Sequence, residues 1–198
     1  FLMARGGQQN GQDVSAMEMT KWFDTNYHYI VPEFATDQAF RLSSRKPVEE
    51  FLEAKQLGIH TRPVLLGPVS FLLSGKSQAE GFAPLSLLDR LLPVYVEILQ
   101  ALANAGADCV QIDEPFLVLE LSSDAQEAYR KAYAALHDAV PGINIVLTTY
   151  FGALQENLPL ALSLPIKALH LDLVRSPQQL EPALAALPPT MSLSLGVV

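Results

Sequence analysis

Six short apolar runs, each closed by polar or turn-forming residues, alternate with longer stretches of helical periodicity. This alternation limits the fold more than any other feature of the chain. The runs lie at 19–25, 62–66, 109–112, 143–150, 168–174 and 191–198. Short apolar runs bounded by turn residues are the pattern of strands covered on both faces. Between them, 47–57 carries Val48, Phe51, Leu52 and Leu57 on one helical stripe and stops at Gly58. The longest helical stretch, 85–105, sets Leu88, Leu91, Leu92, Tyr95, Ile98, Leu99 and Leu102 at helical spacing ahead of Gly106. Pro93 inside it is a point of kinking or division. A third helix, 123–140, opens on a Ser-Ser-Asp cap signal and stops at Pro141-Gly142. Two short ones follow at 157–162 and 177–187, the second with Ser176 as N-cap and Pro177 at its first position.

Strand–helix–strand repetition predicts a parallel sheet with right-handed crossovers, and both a doubly wound sheet and a (β/α)8 barrel satisfy it. The placement of polar residues favours the barrel. Nearly every run ends on them: Asn26, Ser70, Asp113 with Glu114, Thr148 with Thr149, and Asp172. Barrels collect polar residues at the C-terminal ends of many strands, whereas doubly wound sheets gather them at one crevice. No G-x-G-x-x-G follows the first run. The expected fold is therefore α/β, a TIM-type (β/α)8 barrel that is incomplete in this chain, with about six parallel strands and helices outside. Residues 1–15, rich in Gly, Gln and Asn, read as a flexible loop ahead of a partial barrel domain over 16–198. The first residue is Phe1 and the last are the strand-like Leu193-Ser194-Leu195-Gly196-Val197-Val198. The chain accordingly reads as a piece of a longer protein.

Composition excludes several classes. With 49% hydrophobic residues in 198, the chain is not intrinsically disordered. Its 21 acidic against 13 basic residues, a net charge of −8, speak against nucleic acid or an anionic membrane surface as partner. No apolar run reaches the roughly 18–20 residues of a membrane-spanning helix. No signal peptide opens the chain, which turns polar at once. A cytoplasmic setting is the default. The single cysteine, Cys109, excludes an internal disulfide and an all-cysteine zinc site.

The densest polar and aromatic segment runs from Met17 through Glu18, Met19, Thr20, Lys21, Trp22, Phe23, Asp24, Thr25, Asn26, Tyr27 and His28 to Tyr29. It reads either as an anion contact from Lys21 with polar orienters around it, or as a strand with packed aromatics and a snorkelling lysine. Asp113 and Glu114 close the third run. As neighbours on a strand they point to opposite faces, so they form no acid–base pair. One is free to meet a polar ligand; the other to cap a helix or pair with a cation. His170 and Asp172, two apart, share a face, as a histidine–carboxylate pair at the rim or as a satisfied structural pair. The histidines at 28, 60, 137 and 170 show no metal-binding spacing. Cys109, at the start of an apolar run, reads as an inert core thiol. Ser70 lies in no G-x-S-x-G elbow and has no base nearby in sequence. These residues indicate no catalytic group and no metal ligand.

The segment from Met17 to Tyr29, followed by Pro32-Glu33-Phe34, closely resembles a signature of cobalamin-independent methionine synthases, the 5-methyltetrahydropteroyltriglutamate–homocysteine methyltransferases. In order along the chain, Arg62-Pro63-Val64-Leu65-Leu66-Gly67-Pro68-Val69-Ser70, Val110-Gln111-Ile112-Asp113-Glu114-Pro115, Leu147-Thr148-Thr149-Tyr150-Phe151 and Leu169-His170-Leu171-Asp172-Leu173-Val174 resemble its later segments. The resemblance implies part of the N-terminal of two barrels. It implies that zinc and homocysteine bind in the C-terminal catalytic barrel, outside this chain, so that this segment alone is inactive. It implies 5-methyltetrahydropteroyltri-L-glutamate as a ligand, with Lys21 on its polyglutamate tail and Asn26 as a further contact from the same motif. A basic segment of the family that also meets the tail has no counterpart here. Two alternatives stand beside this: a purely structural half-barrel, and an unrelated barrel decarboxylase.

Overall fold

The computed structural model describes residues 2–9 and 11–198. Five of the six apolar runs form one parallel sheet. Its strands are β6 (Val64–Leu66), β8 (Cys109–Asp113), β9 (Asn144–Thr148), β10 (Ala168–Asp172) and β11 (Ser192–Gly196), in the order β11-β10-β9-β8-β6. The order follows the chain without reversal. Same-handed crossovers between successive neighbours put every connecting helix on one face, as in a barrel wall; a doubly wound sheet would reverse order at a switch point.

The helix layer comprises α2 (Lys46–Gln56), α3 (Pro68–Leu73), α4 (Leu88–Ala105), α5 (Ser123–Ala139), α6 (Leu158–Ser163) and α7 (Leu180–Ala186). In α4, Leu88, Leu91, Leu92, Ile98, Leu99 and Leu102 are buried, the stripe expected from 3.6-residue periodicity. Pro93 does not divide this helix; it removes one backbone bond near the helix start. Gly106, at φ +96°, ends it, and Lys55 of α2 donates to the freed Ala105 carbonyl at 2.8 Å. In α2 only Val48 and Phe51 are buried, while Leu52 and Leu57 face outward, so the apolar stripe is narrower than expected. Ser122 caps α5 by accepting from the Ala125 N–H at 3.2 Å, and Tyr129 and Tyr133 of that helix lie wholly in the core. Ser176 makes no side-chain cap; a 3-10 turn, Pro177–Gln179, leads into α7 instead. The core joins Val110, Ile112, Leu147, Leu169 and Leu171 of the sheet to these helices.

The first expected strand lies elsewhere. Met19–Lys21 (β3) pairs antiparallel with His28–Ile30 (β4), Lys21 opposite His28, outside the parallel sheet. The reason is local. The Trp22 N–H reaches the Tyr27 carbonyl at 2.7 Å and the Thr25 hydroxyl the Trp22 carbonyl at 2.7 Å. The chain thus turns back at once, with no crossover helix. The main parallel sheet of the described residues therefore has five strands, not six. Residues 1–15 also depart from a flexible loop over their described part. Leu2–Arg5 forms a one-turn helix (α1), and Gly7–Gln9 (β1) pairs antiparallel with Gln12–Val14 (β2). Gly6, Gly7 and Gly11 supply the positive φ angles this needs. A two-residue parallel pair, Glu33–Phe34 (β5) with Lys76–Ser77 (β7), completes the elements.

Candidate functional site

Asp113 and Glu114 part company as period-two alternation requires. Glu114 turns into the helix layer, fully buried. Its carboxylate accepts the Ser70 N–H at 2.7 Å and the Val69 N–H at 3.4 Å, the open donors at the start of α3, and the Tyr133 hydroxyl at 3.4 Å. Burial pushes its pKa up to about 7, against those hydrogen bonds. A Cβ on Gly67 would lie 2.1 Å from this carboxyl group, so only glycine leaves room. Ser70, also fully buried, accepts the Phe116 N–H at 3.3 Å. This cluster is architecture: Glu114 caps the short helix α3.

Asp113 faces the other side of the sheet. The register sets Leu66, Asp113, Thr148, His170 and Ser194 in one row across all five strands, near their C-terminal ends. Asp113 accepts from Gln111 at 2.8 Å and from the Tyr150 hydroxyl at 3.3 Å, and Arg62 holds Gln111 at 3.1 Å. Burial raises the Asp113 pKa against these donors. His170 pairs through Nδ1 with Ser194 at 2.9 Å, and burial lowers its pKa. It makes no hydrogen bond with Asp172, so the histidine–carboxylate pair does not form. Asp172 instead accepts two backbone N–H groups, Phe151 on one oxygen and Arg175 on the other, each at 3.0 Å. Cys109 is partly buried at the start of β8, and burial raises its thiol pKa, which fits an unreactive cysteine. Among the described residues no group of three or more His, Cys, Asp or Glu converges as a metal site.

Lys21 and Asn26 both stand exposed on the β3–β4 hairpin, five positions apart around its turn. The Asn26 backbone carbonyl lies within hydrogen-bond distance of His28 Nδ1, at 3.1 Å, and the residue itself is exposed. Lys21 has no ion pair among the described residues. Lys76, by contrast, is held by Glu18 at 3.0 Å and Glu33 at 3.2 Å. An exposed ammonium without a carboxylate partner is available to an external anion, and an amide nearby adds donor and acceptor capacity.

The hairpin tip docks onto the strand ends through residues that the sequence pattern did not single out. The Phe23 ring lies 5.0 Å from Phe151 and 5.3 Å from Phe116. Asp24 pairs with Arg175, whose guanidinium also stands 5.4 Å from the Phe151 ring centre. The available signal was the aromatic pairs Trp22-Phe23 and Tyr150-Phe151 beside two expected strand ends. Their mutual contact depends on tertiary structure.

Among the described residues no helix is long and apolar enough to cross a membrane. A family model for the cobalamin-independent synthase N-terminal domain matches residues 1–198. A 5-methyltetrahydropteroyltriglutamate–homocysteine methyltransferase of Caulobacter vibrioides is 60% identical over 213 residues, covering 100% of this chain and 27% of the relative. One of the same name from Parvibaculum lavamentivorans is 58% identical over 199 residues, covering 100% of this chain and 26% of that protein. The chain thus spans about a quarter of the length of these curated relatives. A solved B12-independent methionine synthase from Shewanella sp. W3-18-1 superposes with a TM-score of 0.58 at 16% identity, over 85% of this chain and 63% of that one. At that identity the likeness concerns the fold.

Proposed function

The chain belongs to the family of cobalamin-independent synthase N-terminal domains, and we propose on that premise that it forms the tail-binding part of a cytoplasmic methyltransferase. The reaction moves the methyl group of 5-methyltetrahydropteroyltri-L-glutamate to L-homocysteine and yields methionine. Family membership disposes of the unrelated-decarboxylase alternative. In this reading further strands of the parent protein continue the wall at β6 and β11 into a (β/α)8 barrel, and a second, catalytic barrel carries zinc and homocysteine. In this reading the steps that fall to this chain are binding and positioning.

The observation that carries the reading is Lys21: an exposed cation without an ion pair among the described residues, on a docked hairpin, in a chain of net charge −8. A polyglutamate tail repels such a surface except where a local cation meets it. A lysine ammonium does so as a point charge with three donors, tolerant of the tail's rotations. The Asn26 amide adds a neutral contact. Holding the tail here sets the pterin end at a fixed reach, so binding energy far from the reacting methyl serves to orient it.

The test is a titration of the full-length protein with triglutamyl and monoglutamyl 5-methyltetrahydrofolate at low and moderate salt. The triglutamate binds more tightly, and its advantage shrinks as salt screens the contact. Lys21→Ala removes about tenfold of that advantage, the size of one charge-assisted hydrogen bond, and leaves the monoglutamate affinity unchanged. An unaltered preference in Lys21→Ala would assign the hairpin a purely structural part.

A further inference from the structure

Among the described residues three other than glycine have positive φ: Phe23 at +53°, Phe151 at +75° and Gln155 at +48°. Bulky side chains rarely adopt this conformation, and where they do the surroundings must hold them there. Two of the three touch each other, Phe23 at the hairpin tip and Phe151 just beyond β9. Asp172 at the end of β10 fixes the far side of this contact by accepting the backbone N–H of both Phe151 and Arg175. Arg175 then reaches back over the Phe151 ring to pair with Asp24, next to Phe23. Both halves of the junction thus combine an aromatic ring with a charge. The near half lies two and three residues beyond Lys21 and the far half just past the ends of β9 and β10.

The exposed ion pair contributes little to overall stability, since such pairs are screened and lose side-chain freedom. Its effect is positional. Besides the pair, the hairpin is held by ring contacts, by the Tyr29 hydroxyl donating to the Ser74 carbonyl at 2.9 Å and by Lys76 on Glu18 at 3.0 Å. The pair is the charged tie at its tip, and without it the tip would be freer to shift. We propose that the Asp24–Arg175 pair, with Phe23 seated on Phe151, is a latch that sets where the β3–β4 hairpin presents Lys21 and Asn26 to the polyglutamate tail. Asp24, Arg175 and Phe151 are positioning residues, since none is assigned a contact with the ligand. The inference rests on the tail-binding reading above and names what makes that site rigid.

The experiment uses the full-length protein and four variants: Lys21→Ala, Asp24→Arg, Arg175→Asp, and Asp24→Arg with Arg175→Asp together. Each is titrated with triglutamyl and monoglutamyl 5-methyltetrahydrofolate, and hydrogen exchange is followed at the Trp22 amide. Either single reversal lowers the triglutamate preference about three- to tenfold, the range of coupling between contacting residues, and speeds Trp22 exchange. The double reversal restores both. In the three Asp24 and Arg175 variants the monoglutamate affinity stays at its original value, which a general loss of structure would not allow. If Lys21→Ala lowers the preference while the single reversals do not, the latch is wrong and the tail reading stands. Failure of the double reversal to restore what the singles lose also overturns the latch. If Lys21→Ala leaves the preference intact, the tail reading fails, and the positioning role falls with it.

Discussion

The two faces of β8 treat their terminal carboxylates differently. On the helix side, Glu114 is wholly enclosed, its oxygens met by two backbone donors and a tyrosine, and a glycine opposite leaves just enough room. On the opposite side, Asp113 is partly exposed and shares a row with a histidine and a serine, and an aromatic hairpin docks nearby. The first arrangement is held by burial, where an error of one methyl group has nowhere to go. The second is held by ring contacts and an exposed ion pair spanning 151 positions of the chain. The strand ends of one sheet can thus carry both a buried carboxylate and a docked hairpin because the two draw on different kinds of energy.

The comparison breaks most visibly at Gly67. Gly67→Ala would drive a Cβ into the Glu114 carboxyl, and displacing a buried acid costs about 3 kcal/mol or more. Denaturant unfolding should show that loss, while Arg175→Ala on the other face leaves the midpoint nearly in place. Equal effects would mean that the two sides are not held differently.

A pH series sharpens the same contrast. Glu114 has a folded pKa raised from 4.5 to about 7. Between these values the folded state keeps a proton that the unfolded state has lost, so stability falls as pH rises. The contribution is fully present below pH 4.5 and lost through about 7, a few kcal/mol in all at about 1.4 per pKa unit. Glu114→Gln removes this slope, and the difference between wild type and variant, followed from pH 4 to 8, isolates it. Asp24, held below the ordinary carboxylate range by its hydrogen bond to Arg175, contributes in the opposite sense: its stabilisation is present above the ordinary value and fades as pH falls. A pH-independent difference would show that Glu114 is ionised throughout.

Much of this was legible in residue order alone. The strands of the parallel sheet, the long helices and the divergence of Asp113 from Glu114 follow from periods of 2 and 3.6, which are properties of single segments. Lys21 and Asn26 came from the resemblance of one motif, and the structure sets both on an exposed hairpin. What escaped depends on partners. Period-two alternation at 19–25 does not reveal whether the neighbour is a parallel strand or the chain turning back on itself. His170 and Asp172 do share a face, yet their hydrogen bonds go to Ser194 across the sheet and to backbone N–H groups beyond the strand end. The latch joins residues from opposite ends of the chain, each ordinary in its local context.

The smallest effects come from two adjacent threonines, and there the expected signs are opposite. Thr149 is wholly buried and donates its hydroxyl to the His170 carbonyl at 2.9 Å. Thr148, in the row between Asp113 and His170, has a buried hydroxyl with no partner among the described residues. Valine matches threonine in shape and removes only the polar atom. Thr149→Val therefore loses that hydrogen bond and leaves the His170 carbonyl with the longer one from the Thr149 N–H at 3.4 Å, a cost of about 1 kcal/mol. Thr148→Val removes an unsatisfied group and gains about 1 kcal/mol by the same accounting. Unfolding of the two variants under identical conditions reads both signs. If Thr148→Val is instead destabilising by as much as Thr149→Val, its hydroxyl has a partner in solution. The side of the sheet facing the hairpin would then be as fully satisfied as the helix side, and the contrast between the two faces would narrow to how deeply each is buried.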